Sequence, residues 1–122
     1  CVHGWLLSGR LWEPLQAELS PEWDSWAPDL PGFGAAPRPR GLQPTLASYG
    51  RWLAREAQEQ AGGRPIVLIG HSLGGSLCLH AAGQLGQQLL ALCRLLHFGE
   101  QCSAVEGHGL RGAARQPLQR RV

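Results

Sequence analysis

An α/β fold on a parallel sheet is what this 122-residue sequence predicts, and three observations predict it. Residues Ile66-Val67-Leu68-Ile69 form a short apolar run rich in β-branched side chains, the pattern of a buried strand. Gly70-His71-Ser72-Leu73-Gly74 follows at once, and Leu73, Leu77, Ala81 and Leu85 then recur at helical spacing. Upstream, strand-like and helix-like segments alternate, so the order strand–helix–strand–helix–strand–helix implies parallel strands joined by helical crossovers. The expected architecture is a partial fold with a three- to four-stranded parallel sheet and helices on both faces.

Taken in order, Cys1-Val2 is expected to be the end of a buried strand, with His3-Gly4-Trp5 in a loop. Ser8 or Gly9 opens a helix whose apolar stripe is Leu11, Trp12, Leu15 and Leu19, with Pro14 tolerated in its first turn and Ser20-Pro21 ending it. Trp23 to Ala27 alternates enough for a short strand that stops at Pro28. The segment from Asp29 to Gly34 is a turn-rich loop, and residues 35–44, with three prolines, form an irregular exposed connection. Thr45 is the predicted N-cap of a helix through Leu46, Tyr49, Leu53 and Ala57 that ends at Gly62-Gly63. Gly86 closes the helix behind Ser72. From Leu89 to Ser103 no residue is β-branched, so propensity favours a helix where the architecture calls for a further strand. Residues 99–122, rich in Gly and Arg, are expected to be a disordered tail.

Composition narrows the function classes. With 43% apolar and 16% charged residues the chain is globular and has room for one modest core. All 11 basic residues are Arg, and the net charge is +2. Residues 1–60 carry five Arg against seven acids and residues 61–122 carry six Arg against two, without an aromatic-interleaved basic stripe, so no nucleic-acid partner is expected. The four cysteines, Cys1, Cys78, Cys93 and Cys102, show no C-x-x-C pair and no metal-ligand spacing; free thiols in a reducing, cytoplasmic setting and no metal are the expectation. No apolar run approaches a membrane span, so no membrane partner is expected. The chain opens on Cys1-Val2 without an initiator Met, as a fragment would.

A Gly-x-Ser-x-Gly pentapeptide alone is a weak signal, but a strand before it and a helix after it are the context of a nucleophile elbow. There the serine backbone is strained, and a Cβ two residues before or after it would meet neighbouring backbone, which accounts for Gly70 and Gly74. With this segment, Val2-His3-Gly4-Trp5 and Asp29-Leu30-Pro31-Gly32-Phe33-Gly34 stand in the order and separation that resemble the α/β-hydrolase family. The resemblance is closest to small esterases of the biotin and menaquinone pathway type, and it covers residues 1 to about 86. It implies a serine carboxylic-ester hydrolase working through an acyl-Ser72 intermediate on a small-molecule acyl ester, with no cofactor. It further implies an oxyanion hole from the backbone N–H groups of Trp5 and Leu73, and a supporting role for His3 and Gly4. Residues 1–86 would then be the N-terminal part of a hydrolase domain, and 87–122 a divergent segment, helical and then disordered.

The resemblance has a gap. The family order places an Asp or Glu and then a His after the serine. After Ser72 this chain has no Asp; its later acids are Glu100 and Glu106 and its later histidines His80, His97 and His108. His71 is fixed in the elbow, and His80 lies two turns down the helix, too far to reach back. The acid and base are therefore expected to be missing, through cropping or a shifted reading frame beyond Gly86, leaving the isolated chain marginally stable and inactive. Two other readings stay open: an inactive binding or scaffold remnant, and a cofactor-free lyase or haloperoxidase on the same fold.

Overall fold

A computed structural model describes residues 1–19, 21–95 and 105–106. Helix α1 (Glu13–Glu18) continues a 3-10 turn at Gly9–Trp12 and carries Pro14 in its first turn. Helix α2 (Leu46–Ala61) begins at Thr45, whose side chain accepts the Ser48 N–H at 3.1 Å, a cap worth about 1 kcal/mol. It ends at Gly62 in the left-handed conformation, whose N–H returns to the Gln58 carbonyl. Strand β1 (Ile66–His71), helix α3 (Leu73–Leu85) and strand β2 (Leu89–Leu95) form a parallel strand–helix–strand unit. A two-residue strand β3 (Val105–Glu106) adds antiparallel to β2, giving the order β1-β2-β3.

The α/β class is as predicted, and three local expectations are corrected. The helix that propensity favoured beyond Gly86 is strand β2 over Leu89–Leu95, because pairing with β1 puts Leu92 opposite Leu68 and buries both under α3. Trp23 to Ala27 forms no strand. A strand exists only through a ladder, and the backbone bond it receives from the first segment is one, from the Cys1 amino group to the Trp26 carbonyl at 2.8 Å. Cys1-Val2 contributes a bridge rather than a strand: Val2 donates to the Ile69 carbonyl at 2.7 Å and accepts from His71 at 3.0 Å. The disordered tail expected over 99–122 falls almost wholly outside the described residues.

The core lies between the sheet and the α2–α3 pair. Leu53, Ala54 and Ala57 of α2 and Leu77, Cys78, Ala81 and Leu85 of α3 close over Val2, Ile66, Leu68 and Leu92. The alternate positions Val67, Ile69, Ala91 and Cys93 are half-buried. Helix α1 buries none of its residues, and Leu11 and Leu15 remain exposed. Among the described residues no helix is long and apolar enough to cross a membrane, and no group of three or more His, Cys, Asp or Glu side chains is arranged to hold a metal ion.

Candidate active site

Ser72 stands on the turn between β1 and α3 with φ 52° and ψ −115°, a conformation that non-glycine residues adopt at an expense of order 1–3 kcal/mol. The flanking glycines make the turn possible. A Cβ on Gly70 would come within 2.5–2.6 Å of the Gly74 and Gly75 backbone, and one on Gly74 would strike the Val2 and His3 carbonyl oxygens. The turn is pinned by the Ser72 N–H to the Leu95 carbonyl at 2.9 Å and by the Gly75 N–H to the Ser72 carbonyl at 2.9 Å. The Ser72 side chain is exposed and makes no capping hydrogen bond to α3, so its hydroxyl is not used up as an ordinary N-cap.

The close fit of Gly74 against Val2 and His3 draws the first motif onto the elbow. His3 is fully buried. Its Nε2 lies 2.8 Å from the Leu30 N–H and its Nδ1 lies 2.8 Å from the Gly4 carbonyl. An amide N–H only donates, so Nε2 is the acceptor and Nδ1 carries the ring proton to Gly4. Both nitrogens are engaged in holding loops, and neither is turned to a hydroxyl. Gly4 packs on the His71 ring, leaving no room for a side chain. Phe33 then meets His3 edge-on at 5.8 Å and Trp5 edge-on at 5.3 Å, bringing the third motif to the same place.

Trp5 and Leu73 follow the two backbone approaches. Leu73 opens α3, where the first N–H groups have no partner within the helix and the helix dipole is positive. No other described residue takes up the N–H of Leu73 or of Trp5 in a hydrogen bond. Among the described residues two non-glycines have positive φ, Ser72 and Leu6, the neighbour of Trp5. Trp5 and Leu6 are exposed, at 65% and 79%, and half-buried Phe33 packs edge-on against Trp5.

The chain's motifs gave no role to Asp29, and the structure gives it one. Its carboxylate accepts the Gly9 N–H at 2.7 Å and the Ala35 N–H at 2.8 Å, tying the helix entry to the far end of the Gly32–Gly34 turn. These bonds, that from Ala35 first, hold its carboxyl below the usual carboxylate range. The one trace of this role in the sequence is Gly34 itself, which stands where any Cβ would collide with the Asp29 carboxylate. His80 is exposed on α3 beside Gly50 of α2, away from the elbow. The side chains of His97, Glu100, Glu106 and His108 lie outside the described residues.

A strained serine between a buried strand and a helix, met by a His-Gly loop, is the arrangement of an α/β hydrolase, and the chain belongs to that family. Residues 1–93 match the family of the alpha/beta hydrolase fold, a stretch that takes in most of β2. Among curated relatives, the chain is 33% identical over 96 residues to lipase LipV of Mycobacterium tuberculosis, covering 77% of this chain and 34% of that protein. It is 35% identical over 89 residues to the pimeloyl-[acyl-carrier protein] methyl ester esterase of Xanthomonas oryzae pv. oryzae (70% and 31%). It is 32% identical over 97 residues to the enzyme of the same name from Neisseria meningitidis serogroup B (80% and 35%). The chain thus spans about a third of the length of these relatives.

Proposed function

We infer that this chain carries the nucleophile half of a serine ester hydrolase acting on small acyl esters. The observation that supports it most is the backbone of Ser72: a strained, exposed serine whose hydroxyl does not cap the helix it precedes. In this reading the Ser72 oxygen attacks the acyl carbonyl and the C–O bond to the alcohol breaks, the alcohol leaving with a proton and the acyl group remaining on Ser72. The N–H groups of Leu73 and Trp5 receive the developing oxyanion, aided by the positive end of α3. His3 and Gly4 hold the Trp5 loop in place. Trp5, Leu6 and Phe33 offer the acyl chain an apolar surface. The lipase and the methyl ester esterases among the relatives support an ester as substrate.

A serine hydroxyl is a poor nucleophile without a base, and none of His3, His71 and His80 suits that role: His3 is bonded at both nitrogens, His71 is packed under Gly4 and His80 lies away from Ser72. With the base-forming groups of the described residues alone, Ser72 is therefore expected to acylate slowly and to turn over poorly. A fluorophosphonate probe tests the assignment. Labelling that maps to Ser72 and vanishes in Ser72→Ala is the expected result; labelling unchanged in that variant, or none on the folded chain, rejects it.

A further inference from the structure

Between Asp29 and Glu56 the chain has four Arg, at 38, 40, 51 and 55, and no acid. Folding collects them on one side. Arg51 and Arg55 lie one turn apart on the exposed face of α2, and with Pro39, Leu42, Ser48 and Trp52 they line an open groove of about 480 Å³. Arg40 is exposed between Pro39 and Gly41 on its rim. Elsewhere Arg10 and Arg64 have carboxylate partners, Glu13 at 3.3 Å and Asp24 at 3.0 Å. In the groove only Arg55 reaches an acid, Glu56 at 3.3 Å, and among the described residues Arg40 and Arg51 reach none.

We propose that this groove docks an acidic helical segment of a protein partner, with carboxylates about one turn apart seated on Arg51 and Arg55. Two features favour an extended anion over a single phosphate. The guanidinium groups diverge: the Arg51 Nη2 reaches back to the Ser48 Oγ at 3.2 Å, while that of Arg55 reaches forward to Glu56. Arg38, the remaining cation, spends its Nε and one Nη on the Leu42 carbonyl at 3.2 and 2.8 Å, which shapes the groove wall without converging on a common point. Carboxylates four residues apart on a helix match the one-turn separation of positions 51 and 55 and leave room for the two guanidinium groups to diverge. Half-buried Trp52 and Leu42, which line the same groove, give the partner helix an apolar contact. Guanidinium–carboxylate pairs of this kind fix orientation and speed encounter. The docking does not depend on the chemistry of Ser72.

The test is fluorescence anisotropy with a labelled alanine-based helical peptide bearing glutamates four residues apart, against the full chain. Binding is expected to weaken about tenfold or more in Arg51→Glu/Arg55→Glu and less in Arg51→Gln/Arg55→Gln, and to fall as salt is raised. Both pairs of substitutions lie on an exposed helix face, and circular dichroism checks that the fold is kept. Arg10→Glu and Arg64→Glu should stay within about twofold of the parent. Equal loss in those two variants would mean diffuse attraction and overturn the proposal. So would displacement of the peptide by inorganic phosphate at matched ionic strength, which would mark a small-anion site, or binding indifferent to the double charge reversal.

Discussion

The ring of His3 joins two loops through its two nitrogens, accepting from the Leu30 N–H and donating to the Gly4 carbonyl, each at 2.8 Å. This bond pair makes His3 a buried strut under the Trp5 loop rather than a base. Replacing it by Leu leaves the buried Leu30 N–H without an acceptor, and the expected loss is about 1–3 kcal/mol. Urea unfolding midpoints of His3→Leu and the parent measure it; an unchanged midpoint would show that the strut does not bear on the fold.

The elbow glycines have no room to grow. Gly70→Ala and Gly74→Ala force a Cβ against the backbone of Gly75 and of Val2 respectively, where no rotamer change relieves the contact. Each is expected to destabilise by about 1–3 kcal/mol or more. Gly83→Ala, on α3 with nothing within 4 Å of the added atom, serves as the control and should be neutral or stabilising in thermal melts.

Asp29 links acidity to stability. Its folded-state pKa lies below the unfolded value because the Ala35 and Gly9 N–H groups bond the charged form. Its contribution is therefore present above the unfolded carboxylate pKa and is lost as pH falls through the lower folded value. Asp29→Asn removes both the charge and one of the two acceptors. The parent should lose stability between about pH 5 and pH 2 more steeply than the variant, as read from denaturation midpoints across that range.

Burial pushes the Cys78 thiol up to about 12. The folded chain then keeps a proton that the unfolded chain releases near pH 9, so this group withdraws stability progressively as pH rises above about 9. It also stays unreactive: iodoacetamide at pH 8 should spare Cys78 in the native chain and modify it in urea, with peptide mapping as the readout. Native modification of Cys78 at the unfolded rate would contradict the burial.

The parts of the fold written in local chemistry were legible in the sequence. Thr45 and Gly62 bound α2 because a cap and a left-handed glycine are single-residue signals. The elbow was readable because Gly70 and Gly74 answer a steric demand within five residues. The failures concern long-range partners. Strand β2 contains no β-branched residue, and it is a strand because β1 and α3 leave that shape for it. Trp23 to Ala27 has the alternation of a strand but gains one backbone bond from the Cys1–Val2 segment. Asp29 and Phe33 act across twenty and more residues, on Gly9 and on His3, and periodicity carries no such information.

The central claim is that Ser72 is the acyl acceptor and that the residues around it favour acylation over turnover. Incubating the chain with p-nitrophenyl acetate, and following released p-nitrophenol with intact mass and peptide mapping, tests it directly. The expected result is a slow release of about one equivalent per chain, one acetyl group on Ser72 and no release above background in Ser72→Ala. Release with acetyl on another residue, or release that persists in Ser72→Ala, would contradict it.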